Sequence, residues 1–219
     1  MMCDARLFGP QIEALSAGTT LQIPSLTSRD TMAGLAAAVL ADAPPRFALL
    51  GLSMGGILAM EIVATAPDRV ERLALLDTNP FAETAAVTAA RAPSMARVEA
   101  GDLAGVLDGT IPRYFPTPRP DLVALCRAMG LALGAEAFLS QSRALITRAD
   151  RQETLAGYRG PALVLTGAHD TVCPRDRHDR MHALMPRSRL AVIADAGHLP
   201  TLEQPAATTA EITRWLSQT

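Results

Sequence analysis

Residues 51–56 read Gly-Leu-Ser-Met-Gly-Gly and directly follow Arg46-Phe-Ala-Leu-Leu50. The apolar part of that run is typical of a parallel strand buried on both faces, and residues 54–66 are predicted as a helix. A serine between a buried strand and a helix sits on a sharp turn that exposes its hydroxyl. A chance Gly-x-Ser-x-Gly is the alternative, but the flanking elements favour Ser53 as a nucleophile.

The glycines of this stretch have predicted roles of their own. Gly51 and Gly55 are expected to remove side chains that would clash in the turn, and Gly56 is expected to let the helix pack close to the strand. The start of the helix also directs backbone N–H groups and the positive end of its dipole at the same point.

The composition is globular: 49% of the 219 residues are hydrophobic, 19% are charged, and the net charge is −2. Such a charge gives no indication of nucleic acid or an anionic membrane as a partner. All 20 basic residues are arginine. A chain without lysine has no Schiff-base lysine, Ser-Lys dyad or P-loop lysine, so an activated serine must use histidine as its base.

Cysteine usage and the chain's apolar runs bear on its environment. Cys3, Cys126 and Cys173 are far apart and odd in number, which is not typical of a disulfide framework or a zinc site. We expect no signal peptide and no apolar run long enough to span a bilayer. These features predict a cytoplasmic protein.

Strands alternate with helices along most of the chain, which predicts an α/β fold with a mostly parallel, doubly wound sheet. Strands are predicted over residues 21–26, 46–50, 72–77, 161–166 and 189–193, and helices over 10–17, 31–41, 54–66, 178–185 and 203–216. Asp30 or a neighbour is expected to cap the second helix, and Trp215 to dock the last one.

Residues 80–150 interrupt this alternation with Ala-, Met- and Leu-rich helical patches and a proline-rich loop over 111–120. We interpret them as a helical cap, inserted into an α/β core formed by residues 1–79 and 151–219. Six apolar residues of the cap are candidates either for an acyl pocket or for the cap's own core: Tyr114, Phe115, Met129, Leu131, Leu133 and Phe138.

A nucleophilic Ser53 needs a histidine, and His198 is the best placed because it lies just after the strand 189–193 and before the last helix. The acid is predicted to be Asp170, which follows the strand 161–166; Asp77, after the strand 72–77, is the weaker alternative. All of these residues fall at the carboxyl edge of a parallel sheet, where ligands bind in open α/β folds.

A second histidine pattern, on the predicted helix 178–185, is a candidate metal site. His178 and His182 have the i, i+4 spacing of two ligands on one helix face. Arginines and aspartates crowd this helix and no third ligand is evident, so we predict no metal.

Four stretches in this order, "GLSMGG", "ERLALLDT", "ALVLTGAHD" and "DAGHLPTLEQP", resemble the landmarks of the α/β-hydrolase superfamily, specifically its small capped serine esterases. The order Ser, Asp, His is also the one that this fold uses. The resemblance implies a cofactor-free enzyme that cleaves a small carboxylic ester or lactone. Ser53 would attack the acyl carbon, His198 would act as base and Asp170 would orient His198.

The resemblance also implies two backbone donors for the oxyanion: the amide of Met54 and, by register, Met1, which would present an α-amino group. It implies that the first strands of the family fold are missing, so the chain is expected to be short at its amino terminus. An open sheet edge would then favour poor solubility, weak activity or a dimer formed through that edge.

Other functions remain open at this point. The same fold serves acyltransferases, carbon–carbon bond hydrolases and perhydrolases, and the missing strands are compatible with a catalytically impaired or ligand-binding protein.

Overall fold

The computed structural model describes residues 1–218. Four parallel strands form one sheet in the order β1-β2-β3-β4. Their bounds are Phe47–Leu52 (β1), Val70–Leu76 (β2), Ala162–Gly167 (β3) and Ser188–Ile193 (β4). Four of the five predicted strands are therefore present, and the predicted parallel α/β architecture is confirmed.

Ten α-helices accompany the sheet within residues 1–218. They are Gly9–Leu15 (α1), Met32–Asp42 (α2), Met54–Thr65 (α3), Ala85–Glu99 (α4), Leu103–Thr110 (α5), Pro120–Ile146 (α6), Gln152–Gly157 (α7), Arg175–Leu184 (α8), Pro200–Glu203 (α9) and Pro205–Leu216 (α10). Thr31, the neighbour of Asp30, caps α2 by accepting a hydrogen bond from the Gly34 N–H at 3.1 Å.

The sheet is covered on both faces because its central strands carry continuous buried apolar runs, Leu73–Leu76 in β2 and Ala162–Leu165 in β3. Side chains of a strand alternate between the two faces, so Leu76 and Leu165 enter one core while Leu75 and Val164 enter the other. Helices α1 and α10 pack on the first face, with Trp215 only 2% exposed, and α3 and α8 pack on the second. Two separate cores on one sheet define the doubly wound arrangement.

The predicted strand at residues 21–26 is wrong. That segment is irregular, and its apolar side chains Leu21 and Ile23 are 37% and 44% exposed. A strand needs a hydrogen-bonded neighbour, and this short run, interrupted by Pro24, has none. As a result β1 is an edge strand with Ala48 exposed, not a strand buried on both faces.

The last helix, predicted over 203–216, begins at Pro205 as α10, and the separate short helix α9 precedes it. Gln204 leaves the helical conformation between α9 and α10, with φ −134° and ψ 63°. Pro205 explains the break, because the residue before a proline is driven out of the helical region.

Residues 85–146 fold as α4, α5 and α6, with a short 3-10 helix at Ile111–Tyr114 inside the predicted proline-rich loop. We refer to residues 80–150 as the insertion. Helix α6 is long and apolar enough to cross a membrane by length and composition, with a mean hydropathy of 1.7 over an 18-residue window. It is not an uninterrupted apolar run, because Arg127 and Glu136 lie within it. Gly134, at φ +83°, interrupts the helical backbone of α6. Helices α4 and α5 pack against α6.

The packing of α3 on the sheet predicts opposite effects for two adjacent glycines. A Cβ on Gly56 would lie 2.6 Å from the Thr78 side chain, whereas a Cβ on Gly55 would meet nothing within 4 Å. We expect Gly56→Ala to lower the free energy of unfolding by about 1–3 kcal/mol through overpacking. The control Gly55→Ala should leave it unchanged or raise it by up to about 1 kcal/mol. Urea denaturation measures both; equal effects of the two substitutions would contradict this packing argument.

Candidate active site

Ser53 occupies a strained turn between β1 and α3. Its backbone is in the left-handed region, with φ 53° and ψ −117°. The Ser53 N–H donates to the Leu76 carbonyl at 2.9 Å, and the Thr78 hydroxyl donates to the Ser53 carbonyl at 2.8 Å. Residues at the end of β2 therefore fix the conformation of the turn from both sides.

The glycines on either side of Ser53 do not contribute equally. A Cβ on Gly51 would lie 2.1 Å from the Gly55 carbonyl oxygen, so a side chain at Gly51 is excluded by backbone. A Cβ on Gly55 has open space, and the predicted clash at that position is wrong. Gly56, as predicted, allows close packing, in this case against Thr78.

The structure brings Ser53, His198 and Asp170 together. His198 lies on the loop after β4 and its Nε2 is 2.9 Å from the Ser53 Oγ. The Nδ1 of His198 is 2.9 Å from the Oδ2 of Asp170, which lies on the loop after β3. His198 is 3% exposed and Asp170 8%, so little water competes for these bonds. The arrangement can accept a proton from Ser53 at one ring nitrogen while the other nitrogen remains bound to the carboxylate.

The groups around Asp170 favour the ionised form of its carboxyl. Burial by itself raises its pKa, but the hydrogen bond to His198, the His198 charge, and N–H donors of Cys173 and Val172 lower it to a net value below the ordinary one. The two amides bind Oδ1 at 3.0 and 2.7 Å, leaving Oδ2 for His198. A carboxylate satisfied in this way fixes the orientation of the imidazole.

Asp77, the alternative acid, lies beside Asp170 and not beside His198. It is fully buried, its Oδ1 accepts the Gly167 N–H at 2.9 Å, and its Oδ2 has no donor within residues 1–218. Burial, followed by the nearby Asp170 charge, raises the pKa of Asp77 well above its usual range. In the protonated form, the Asp77 hydroxyl can donate to Asp170, which satisfies both groups.

The loop that carries His198 is held by residues on both of its sides. A Cβ on Gly197 would lie 2.4 Å from the Tyr114 carbonyl oxygen, and a Cβ on Gly167 would lie 2.0 Å from the Gly197 carbonyl oxygen. The His198 N–H donates to the Tyr114 carbonyl at 2.8 Å, and the rings of Tyr114 and His198 are 5.3 Å apart. The insertion thus contacts the candidate base directly.

Glu203 is a positioning residue that the sequence analysis missed. Its two carboxylate oxygens accept the N–H groups of Gly197 and Leu199, both at 2.9 Å, which are the residues on either side of His198. Burial raises the pKa of Glu203 although these two bonds oppose it. The only signal in the sequence was an acidic residue shortly after the histidine, in "HLPTLE".

The two histidines of α8 do not face a common site. The buried His178 accepts the Thr78 N–H at its Nε2, at 3.1 Å, whereas the His182 Nδ1 lies 2.7 Å from the Ser188 hydroxyl. Burial lowers the pKa of His178 to about 4, so the neutral ring stays an acceptor. Through Thr78, His178 supports the turn at Ser53 and not a metal.

The two predicted backbone donors, Met54 and Met1, lie in different parts of the structure, and the predicted pocket residues are divided between cavity, core and surface. Met54 is the first residue of α3, so its N–H has no partner within the helix. Met1 lies in the wall of a cavity under the insertion, together with Tyr114 and Phe138. Of the other pocket candidates, Phe115 and Met129 are core residues, Leu133 packs against that core, and Leu131 is 41% exposed.

The fold and this site define a class of protein. The family model described as the alpha/beta hydrolase family matches residues 4–212, nearly the whole chain. The chain therefore belongs to the α/β hydrolase family, which confirms the resemblance found in the sequence.

Several proteins that the chain resembles are named as esterases. A pimeloyl-[acyl-carrier protein] methyl ester esterase of Citrobacter koseri is 27% identical over 88% of this chain and 82% of its own length. The protein of that name from Aromatoleum aromaticum is 28% identical over 90% and 89%. A solved thermophilic esterase from Thermogutta terrifontis superposes with a TM-score of 0.88 at 26% identity, covering 98% of this chain and 85% of that one. The chain thus resembles esterases of the α/β hydrolase family.

The raised pKa of Asp77 makes a testable prediction about stability. A carboxyl whose pKa is higher in the folded state binds its proton more tightly there, so the free energy of unfolding falls as pH rises from about 4 toward the raised pKa. Relative to Asp77→Asn, the wild type should lose up to about 1.4 kcal/mol per pH unit over that window. Urea denaturation at several pH values between 4.5 and 7.5 measures this difference.

Asp68→Asn is the matched control, because Asp68 is exposed on the protein surface. It should change the pH slope of stability little. The protonated state of Asp77 is contradicted if Asp77→Asn and Asp68→Asn alter that slope alike.

Proposed function

We propose that this protein hydrolyses a small carboxylic ester or lactone through an acyl-enzyme on Ser53, with His198 as base and Asp170 as the acid of a catalytic triad. The observation that carries the proposal is the double contact of His198, 2.9 Å from both the Ser53 Oγ and the Asp170 Oδ2. The names of the two methyl ester esterases that it resembles favour the same reaction class.

In the first half of the reaction, the Ser53 oxygen attacks the ester carbonyl carbon while its proton passes to the His198 Nε2. The carbonyl π electrons move onto oxygen, and the negative charge faces the Met54 N–H at the start of α3. The ester C–O bond then breaks and His198 returns its proton to the leaving alkoxide. The products of this half are the alcohol and the acyl-serine.

In the second half, water takes the place of the alcohol. His198 accepts a proton from water as the oxygen attacks the acyl-serine, and the proton returns to Ser53 when the intermediate collapses to the free acid. Asp170 stays ionised throughout and stabilises the imidazolium in both halves. Met1 is proposed as the second oxyanion donor, and residues 80–150 as a cap over the site.

An ester panel with an active-site label tests the proposal. An organophosphonate should add one alkylphosphonyl group to Ser53, seen by intact mass and peptide mapping, and Ser53→Ala should abolish the label. Ester turnover by Ser53→Ala should fall by about 10³-fold or more. Equal amounts of free acid and alcohol should appear in water without added acceptor or peroxide, which separates hydrolysis from acyl transfer and perhydrolysis.

Ser142→Ala is the matched control. Ser142 is buried and its hydroxyl has no hydrogen-bond partner in the described chain, so its loss should leave turnover and labelling intact. A folded wild type that neither takes the label nor cleaves any ester would show the site to be inactive.

A further inference from the structure

The insertion and the first residues of the chain enclose a small cavity beside His198. Its volume is about 40 Å³. Tyr114 belongs both to the cavity wall and to the surroundings of the candidate base, since its ring centroid is 5.3 Å from that of His198. A group that enters this cavity therefore lies against a residue that also contacts the candidate base.

The lining of the cavity is mostly apolar. None of the nine described residues that form it has an Asp, Glu, Arg or His side chain, and Met1 contributes the α-amino group of the chain, whose pKa is lowered by burial. The Thr110 hydroxyl already donates to the Val106 carbonyl at 2.8 Å, and the thiols of Cys3 and Cys126 are hydrogen-bonded to each other. Because the hydroxyl and the two thiols are paired within the protein, most of the remaining surface offers contacts to an apolar group.

The volume sets a limit on size. One water-sized group needs about 10–15 Å³ of cavity volume. The cavity of about 40 Å³ therefore admits about three groups of that size. A methylene group is of comparable size. An acyl chain with three carbons beyond the carbonyl, a butyryl group, therefore fills the cavity, and each further carbon must displace a side chain.

On the basis of the proposed function, we propose that this cavity is the acyl pocket. Its size would make the enzyme selective for short acyl chains, with butyryl as the longest that fits without rearrangement. Phe138 is the residue that restricts the length. It is the largest apolar side chain in the lining, and it projects from α6, the longest helix of the insertion.

Helix α6 also offers a matched control. Leu139 follows Phe138 directly and is equally buried, at 7% exposure, but it does not line the cavity. Truncating either residue removes core packing from the same helix. Only the truncation of Phe138 enlarges the cavity.

The first measurement is kcat/KM of the wild type on p-nitrophenyl esters from acetyl to dodecanoyl. Each carbon up to butyryl should raise kcat/KM about fourfold, the effect of burying one methylene. Beyond butyryl it should fall, by about tenfold or more at octanoyl, because overpacking is costly. A wild type that cleaves octanoyl esters as well as butyryl esters would overturn the size limit.

The second measurement uses the variants. Phe138→Ala should raise kcat/KM for the octanoyl ester about tenfold relative to butyryl, whereas Leu139→Ala should keep the wild-type profile. Phe138→Leu, a smaller truncation, serves if Phe138→Ala does not fold, and should shift the optimum in the same direction by a smaller amount. A profile that Phe138 variants leave unchanged, or that Leu139→Ala shifts equally, contradicts the assignment of the cavity.

A third series keeps the acyl group fixed as butyryl and lengthens the alcohol. Phe138→Ala should leave this series unchanged; a shift here instead of in the acyl series would assign the cavity to the alcohol and overturn the proposal. Organophosphonate labelling of Ser53 reports separately on the proposed function. Normal labelling with a flat acyl profile rejects the pocket alone, and absent labelling with no turnover rejects the hydrolase reaction itself.

Discussion

Direct contact between backbone segments, at positions where no Cβ fits, positions the candidate base. Gly167 at the end of β3 lies against the carbonyl of Gly197, and Gly197 in turn lies against the carbonyl of Tyr114. Three chain segments from the sheet, the loop after β4 and the insertion are thus stacked with no side chain between them. His198 follows Gly197 and is held at its N–H by Tyr114, so its place in the site depends on this stack. A methyl group at Gly167 or Gly197 would have to separate backbone from backbone, which no rotamer change can relieve.

The electrostatics of the site follow from how many donors each buried carboxyl receives. Asp170 accepts two amides and His198, and its pKa falls below the usual value despite burial. Glu203 accepts two amides and Asp77 one, and burial raises the pKa of both. Of these three acids, the one in contact with His198 is therefore the one best able to remain ionised. Neighbouring carboxyls that favour protonation avoid adding like charge around it.

Local sequence patterns predicted most helices and strands, but they gave little information about contacts between residues that are far apart in the sequence. The apolar run before Ser53 and the helix after it were enough for the turn, and the spacing of Asp170 and His198 placed both at one edge of the sheet. The strand at 21–26 failed because strand formation depends on a neighbour that no local pattern reveals. Glu203 was missed for a similar reason: its role depends on a loop that folds back on its carboxylate. The cap's apolar residues could not be divided between pocket and core, since helical periodicity marks a buried face without telling what fills the space beside it.

Backbone strain is concentrated at the ends of the strands, where the candidate site lies. Ser53 after β1, Asp77 after β2 and Asp195 after β4 all have positive φ, and such residues cost of order 1–3 kcal/mol each. Tertiary bonds offset this cost at Ser53, where Leu76 and Thr78 bind both sides of the turn. The insertion constrains the same region, because the Tyr114 carbonyl accepts a hydrogen bond from the His198 N–H and Tyr114 also borders the cavity. A displacement of Tyr114 would change the size of the cavity and the position of His198 together, so this one residue of the insertion links the two.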